Sequence, residues 1–417
     1  MKAVHRAIIV CALGYFIDIF DIQLYAVLRV ASLTELGVPT NRLAAIGGYI
    51  LNAQMFGMIV GAFLWGWLGD QYGRLKALYG SILICSVGTL LCSVVHDPTT
   101  YGVYRFISGF GLAGETGAAI TLVTELLSPQ KRGWGPTIVG GFGAFGPVFA
   151  VLISWFMPWR ETYLIAGCLG LVIFVMRMKL VESAIFEKIN QQQVARGFWQ
   201  LYASPKRALT FVCCIALAVS ATYGTNLLNF FSVEISKNVL KPGEIFSQKT
   251  SMLLFYVGLG FGNAISGAIS QLWHSRRKGM AASLLFGALV SAAYLLAGPL
   301  IKFPVAVVYI IYFALGLSGS LALAVTIAAE QVGTNIRATS SILMSNFARG
   351  LVIPMVFTFQ WLREFMSVAG AAAVVGGFLY LAAFMALYHL RETHGVDLDY
   401  SESIGRVKGS ALIGKTS

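Results

Sequence analysis

The chain is 417 residues long, 57% hydrophobic and only 12% charged, with a formal net charge of +12 and a mean hydropathy of +0.75. Soluble globular domains carry about a quarter of their residues as charged types, so this composition excludes one and describes a chain that lies mostly in lipid. The basic balance does not point to nucleic acid, because Lys and Arg fall in the short segments between apolar runs.

Twelve apolar runs, each near the roughly 20 residues needed to cross a bilayer, predict twelve transmembrane helices and an all-α membrane protein. The first, 6–30, is too long and too acidic for a cleaved signal peptide and is expected to stay as a span. It is followed by 44–68, 75–95, 101–127, 135–156 and 162–181. A polar interruption over 182–207 then precedes 208–232, 250–273, 279–301, 304–330, 338–361 and 367–390. An even number puts both termini on one side, and the excess of Lys and Arg on that side makes it the cytoplasmic face of the cell membrane. Lys131-Arg132, Lys206-Arg207 and Arg276-Arg277-Lys278 are such orientation signals, with anionic lipid as a secondary contact. The six cysteines lie within spans without metal-ligand spacing and read as small core residues, so neither a metal nor a cofactor is expected.

The interruption divides the chain into a six-helix bundle over 1–181, a cytoplasmic linker over 182–207, a second six-helix bundle over 208–390 and a cytoplasmic tail over 391–417. The halves echo one another. Residues 109–133, "GFGLAGETGAAITLVTELLSPQKRG", align with 314–338, "ALGLSGSLALAVTIAAEQVGTNIRA", matching Gly111 to Gly316, Glu125 to Glu330 and Arg132 to Arg337. Paired helical repeats around a cleft that opens alternately to either side are a secondary-transporter architecture.

The loop "GWLGDQYGRLKAL" (66–78) holds Gly66, Leu68, Asp70, Gly73 and Arg74 at the spacing of a signature, G-x-L-x-D-x-x-G-R-[RK]. It resembles the cytoplasmic loop of the major facilitator superfamily. The stretch 104–133, "GYFIDIFDIQLY" (14–25) and "SNFARGLVIP" (345–354) are similar to the fourth, first and eleventh spans of its metabolite:proton symporters, and also to sugar porters and aromatic-acid:proton symporters. The resemblance implies two six-helix bundles, carriage of a small molecule, and a conformational latch at Gly66, Asp70, Gly73 and Arg74. Two departures stand out: Thr116 replaces a usual aromatic, and Asp18 a usual Glu. In the second half, "GAISQLWHSRRKG" (267–279) has Gln271 where the latch acid would be, which predicts a one-sided latch.

Helical rise places Asp18 and Asp21 roughly 18 and 22 Å above the cytoplasmic edge, and Arg105, on a descending helix, at about 20 Å. An isolated charge at that depth costs at least about 2.5–3.5 kcal/mol, so Asp21 and Arg105 are expected to pair. Protonation of such a pair would couple a proton to conformation, with the proton as the only coupling ion. A structural ion pair is the alternative. Asp18, one turn away, shares the proton, contacts substrate or packs. Glu115, nearer the cytoplasm among Gly111, Gly114 and Gly117, is either a substrate contact or a packed, bonded Glu.

Arg349, near mid-depth with Asn346 on its face, reads as the receptor for a substrate anion or as a partner for Asp18 or Glu115. Asn52, Gln54, Asn226 and Asn229 are amides at lipid depth and bind substrate or tie helices together. Tyr15, Tyr25, Tyr49, Tyr223 and Tyr256 are cavity candidates, with Tyr25 included among the substrate-site residues. Trp67, Trp134, Trp159, Trp273 and Trp361 lie near span ends as interfacial anchors. Glu125 and Glu330, each seven residues before Arg132 and Arg337, belong to the latch rather than the substrate site.

These features predict a monomeric carrier, not an enzyme, moving a small polar organic anion or zwitterion by proton symport. An exporter is the alternative. Exporters of the resembling family carry G-x-x-x-G-P-x-x-G-G, and "GGFGAFGPVFAV" keeps Gly146-Pro147 but has Ala150-Val151 in place of the glycines, which favours uptake.

Overall fold

A computed structural model describes residues 2–72, 74–114, 143, 145–178, 205–331, 344 and 346–394. Its first half comprises α1 (Lys2–Glu35), α2 (Leu43–Tyr72), α3 (Arg74–Ser93), α4 (Pro98–Leu112), α5 (Gly146–Phe156) and α6 (Trp159–Arg177). In the second half, α7 (Pro205–Tyr223) runs through a widened π-turn (Gly224–Asn229) into α8 (Ser232–Val239). There follow α9 (Gln248–Leu272), α10 (Arg276–Ala292), a second π-turn (Ala293–Ala297) and α11 (Gly298–Ile301). Then come α12 (Val305–Leu317), α13 (Leu321–Glu330), α14 (Val352–Leu362) and α15 (Val368–His389). Among the described residues, nine helices are long and apolar enough to cross a membrane. The fourth, fifth, sixth and eleventh expected spans are described only in part. Together they make an all-α membrane protein of two six-helix bundles.

Close glycine contacts show how each half is built. A Cβ on Gly57 would lie 2.2 Å from the Phe106 carbonyl oxygen, one on Gly61 2.2 Å from that of Phe110, and one on Gly109 2.2 Å from that of Gln54. Small residues let α2 and α4 touch backbone to backbone, where dispersion rather than a hydrophobic drive holds helices together in lipid. The second half repeats the arrangement between α9 and α12. A Cβ on Gly258 would lie 2.3 Å from the Phe313 oxygen, one on Gly262 2.5 Å from that of Leu317 and one on Gly316 2.1 Å from that of Phe255.

These contacts also correct the alignment of the halves. They match Phe106 to Phe313, Phe110 to Leu317 and Gly109 to Gly316, so the counterpart of Gly316 is Gly109, two residues before Gly111. Gly/Ala-rich helices slide past one another in a sequence comparison; the contact pattern fixes the register. Gly57→Val should force α2 from α4 and sharply lower the yield and melting temperature of folded protein. An unchanged melting temperature would show the contact to be slack.

Several boundaries differ from expectation. α1 extends five residues past 30, which puts Arg29 inside a helix rather than at its rim. Trp67, Trp273 and Trp361 are about half exposed, as interfacial anchors are, but Trp159 is buried. Its indole donates to Glu35 Oε2 at 2.6 Å and stacks on Tyr101. Five cysteines are buried as expected of small core residues, whereas Cys168 is exposed. The last described residues are clipped to α10: Glu392 accepts from the Ser275 hydroxyl and from the N–H groups of Arg276 (2.8 Å), Arg277 (3.2 Å) and His394 (3.1 Å). Burial works against its charge, but these donors outweigh it and hold the carboxyl at about 2.

Candidate functional site

α4 begins where Asp97 accepts from the Thr100 N–H at 2.8 Å and Pro98 occupies the first turn. That start sets the phase of Arg105, two turns further in and fully buried. α1 brings Asp21, 2% exposed, against it. Arg105 Nη1 donates to Asp21 Oδ1 at 3.2 Å and Nη2 to the Asp21 carbonyl oxygen at 3.0 Å. The Thr89 hydroxyl donates to Oδ1 at 2.9 Å, the Ser108 hydroxyl to Oδ2 at 2.6 Å and the Cys85 thiol to Oδ2 at 3.8 Å. Three helices thus converge on one carboxylate. Arg105 also lies 5.9 Å from the Tyr25 ring and 5.8 Å from that of Tyr163. Sequence reasoning did not find Thr89 and Ser108, although hydroxyls facing inward at a charge's depth were the available signal.

Tyr25 is fully buried; it donates to the Gly47 carbonyl at 3.1 Å and packs edge-on against Tyr101. Tyr223 is likewise spent on the Ala372 carbonyl at 2.7 Å, and Tyr49 is 58% exposed. Tyr15 differs. It is half-buried and within electrostatic reach of both Asp18 on its own helix and Arg349 in the other half. Arg349 Nη1 reaches Asn346 Oδ1 only at 3.5 Å. Asp18 is 2% exposed. Glu115 lies outside the described residues.

Along α1 away from the N-terminus, contacts cross between the halves in layers. Tyr256 donates to Gln23 Oε1 at 2.7 Å, and Gln248 to the Ala26 carbonyl at 3.4 Å. Gln360 donates to the Ala44 carbonyl at 2.7 Å, and Lys249 to that of Ser154. Further along, Arg29, fully buried, forms a bidentate pair with Glu234: Nη1 to Oε1 at 2.7 Å and Nη2 to Oε2 at 2.9 Å. Nη2 also donates to the Phe230 carbonyl at 3.0 Å, and the guanidinium lies 4.7 Å from the Phe230 ring and 5.4 Å from that of Phe231. The described cross-half hydrogen bonds thus close the seam on the side away from the N-terminus. Arg29 and Glu234 were overlooked because each sat at the edge of an expected span; opposite charges at matching ends of the first span in each half were the legible clue.

Of the latch residues, Gly66 and Asp70 lie in α2 and Arg74 opens α3, their backbones alone being described; Gly73, Glu125, Arg132 and Arg337 lie outside the described residues. In the second half, Glu330 pairs with Arg276, at 3.1 Å from Nε and 3.0 Å from Nη2, and accepts from Thr393 at 2.6 Å. An acid from the end of α13 therefore supplies a carboxylate beside the stretch where Gln271 had suggested none. Among the described residues no His/Cys/Asp/Glu cluster could hold a metal ion.

Two helical repeats, a buried carboxylate–guanidinium pair and polar residues along the seam define the class: a secondary transporter rather than an enzyme. The family model of the Major Facilitator Superfamily matches residues 11–357, and the chain belongs to that superfamily. It is similar to the gentisate transporter of Corynebacterium glutamicum, 28% identical over 80% of this chain and 76% of that one. A putative niacin/nicotinamide transporter of Bacillus subtilis is 29% identical over 46% of this chain and 47% of its own, about half the length of that relative. The benzoate transport protein of Acinetobacter baylyi is 27% identical over 43% of this chain and 40% of its own. In fold it resembles a D-xylose-proton symporter, with a TM-score of 0.71 at 15% identity, covering 95% of this chain and 100% of that one.

Proposed function

We propose that this chain carries a small organic anion, of the aromatic-acid kind, together with a proton, by alternating exposure of the cleft between its halves. The termini then lie in the cytoplasm, the closed seam faces outward, and the protein works as a monomer without a cofactor. The observation that carries the reading is a division of labour between a buried ion pair and a half-buried cation. Asp21 and Arg105 satisfy each other within the first half, whereas Arg349, half-buried and within electrostatic reach of Tyr15, has among the described residues a 3.5 Å contact to Asn346. Relatives named for gentisate, niacin and benzoate transport support a carboxylate as cargo.

In this cycle a proton on Asp21 removes the charge that holds Arg105, so α1 and α4 are free to shift. A carboxylate on Arg349 neutralises the cation in the cleft, and the loaded halves rock past each other. Anion and proton then cross together, because neither a bound proton nor a bound anion alone discharges both Asp21 and Arg349.

Arg349→Ala tests the receptor role. Loss of a charge-assisted hydrogen bond of about 1.5–3 kcal/mol corresponds to a rise of about 10- to 100-fold in the half-saturating concentration. Counterflow of labelled benzoate, nicotinate and gentisate in proteoliposomes reads it. An unchanged concentration for the transported anion would remove Arg349 from the site.

A further inference from the structure

Between the start of α10 and the end of α15, which pack against each other, lies a groove of about 650 Å³ that the cycle above does not use. Arg277 and Lys278 line it together with Trp273, Ala281, Phe384 and Tyr388. Neither cationic side chain has an acid partner among the described residues: Arg277 reaches the Tyr388 carbonyl oxygen at 3.3 Å, whereas the preceding Arg276 is taken by Glu330. Glu392 lines the groove as well, but both its oxygens already accept, Oε1 from the Arg276 N–H at 2.8 Å and Oε2 from the Arg277 N–H at 3.2 Å. Two side-chain cations thus stand against one carboxylate that the first turn of α10 has engaged.

The walls narrow the kind of anion that fits. On α10, Lys278, Ala281, Leu285 and Leu289 recur at three- and four-residue spacing and share one face, as Tyr388, Phe384, Leu381 and Phe378 do on α15. Leu285, Leu289, Leu381 and Phe378 are each more than half exposed, so in a bilayer these faces meet acyl chains. From Lys278 to Leu289 the helix rises about 16 Å, close to the roughly 15 Å of hydrocarbon in one leaflet. A free anion would use the cations but not the apolar faces, and a soluble acidic protein could not follow those faces into the bilayer. An acidic phospholipid uses both, because it joins a phosphate to a chain of that depth.

We propose that this groove binds one acidic phospholipid of the leaflet on the side of the termini, with its phosphate at Arg277 and Lys278 and an acyl chain along α10 and α15. Such a site has a defined position and shape, unlike the general attraction of basic segments to an anionic surface. It does not depend on which molecule the cleft carries.

Detergent-purified full-length protein, titrated with phosphatidylglycerol, phosphatidylcholine or inorganic phosphate and read by thermal stabilisation and by lipid retention in native mass spectrometry, tests the site. Wild type is expected to bind phosphatidylglycerol at least about tenfold more tightly than phosphatidylcholine, with inorganic phosphate stabilising least. Each basic residue beside an acidic headgroup is worth about fivefold, so Arg277→Gln with Lys278→Gln is expected to weaken phosphatidylglycerol about 30-fold and leave phosphatidylcholine unchanged. Ala281→Trp, which fills the groove and keeps both charges, is expected to weaken phosphatidylglycerol as well. Lys206→Gln with Arg207→Gln removes the same charge at the start of α7 and is expected to leave binding unchanged. Equal binding of the two lipids by wild type, or stabilisation by phosphate as strong as by phosphatidylglycerol, overturns the site. So does undiminished binding in either groove variant, or an equal loss in the α7 variant.

Discussion

Asp21→Asn is expected to abolish accumulation of substrate against its gradient while leaving exchange of internal for external substrate in place. The amide keeps the size of the carboxyl; its oxygen can still accept from one of the Thr89 and Ser108 hydroxyls while its NH2 donates to the other, so the surroundings described for Asp21 need little rearrangement. It cannot, however, alternate between charged and neutral forms. Truncating one partner of a buried pair costs about 3–5 kcal/mol, and an isosteric amide lessens that cost by keeping the hydrogen bonds. The carrier then behaves as permanently protonated: loaded forms interconvert, but no proton gradient is transduced. Asp21→Ala would add the loss of those bonds and is expected to reduce exchange as well. Proteoliposome uptake with an imposed pH gradient, compared with counterflow in the same vesicles, separates the two effects. Gradient-driven uptake at the wild-type level in Asp21→Asn would exclude Asp21 from coupling.

Glu234→Ala is expected to release the closed seam. Arg29 is wholly buried and has Glu234 as a bidentate partner, so removing the acid leaves an uncompensated cation in just the arrangement where the halves meet. A penalty of about 3–5 kcal/mol on that state alone lowers its population relative to the open one by about two to four orders of magnitude. Val356, fully buried near Gly48 of the opposite half, is a reporter for the change. In a background with the native cysteines replaced, Val356→Cys is expected to react with a membrane-impermeant thiol reagent at least about tenfold faster when Glu234→Ala is added. The exchanged pair Arg29→Glu with Glu234→Arg should recover part of the protection, because the Coulomb attraction is retained although the Phe230 carbonyl loses its donor. An unchanged labelling rate in Glu234→Ala would show that the pair does not hold the seam.

The fold was legible because lipid imposes a coarse rule: every span must be long, apolar and helical, and twelve such runs can be seen without knowledge of packing. The meeting of Asp21 and Arg105 was legible for a related reason, since helical rise alone gives depth and the cost of a lone charge selects a partner at equal height. Rotation about the helix axis carries no comparable signal. Tyr25 and Tyr15 looked equivalent in sequence, yet one is fixed on the Gly47 carbonyl and the other is within electrostatic reach of Asp18 and Arg349. Arg29 and Glu234 escaped notice because boundary residues are ordinarily solvated, and only the extension of α1 to Glu35 buries the cation. The pairing of Glu330 with Arg276 joins residues 54 apart in sequence, and spacing along one helix gives no hint of it.

Proton movement itself is the most direct test of coupling through Asp21. Vesicles containing a pH-sensitive dye, with no imposed gradient, receive an inward concentration gradient of the transported anion. Wild-type protein is expected to acidify the lumen as substrate enters, and Asp21→Asn, whose empty form cannot return, to exchange labelled for unlabelled substrate with neither net entry nor carrier-dependent acidification. Equal acidification by the two proteins at equal substrate entry would contradict proton coupling through the Asp21–Arg105 pair.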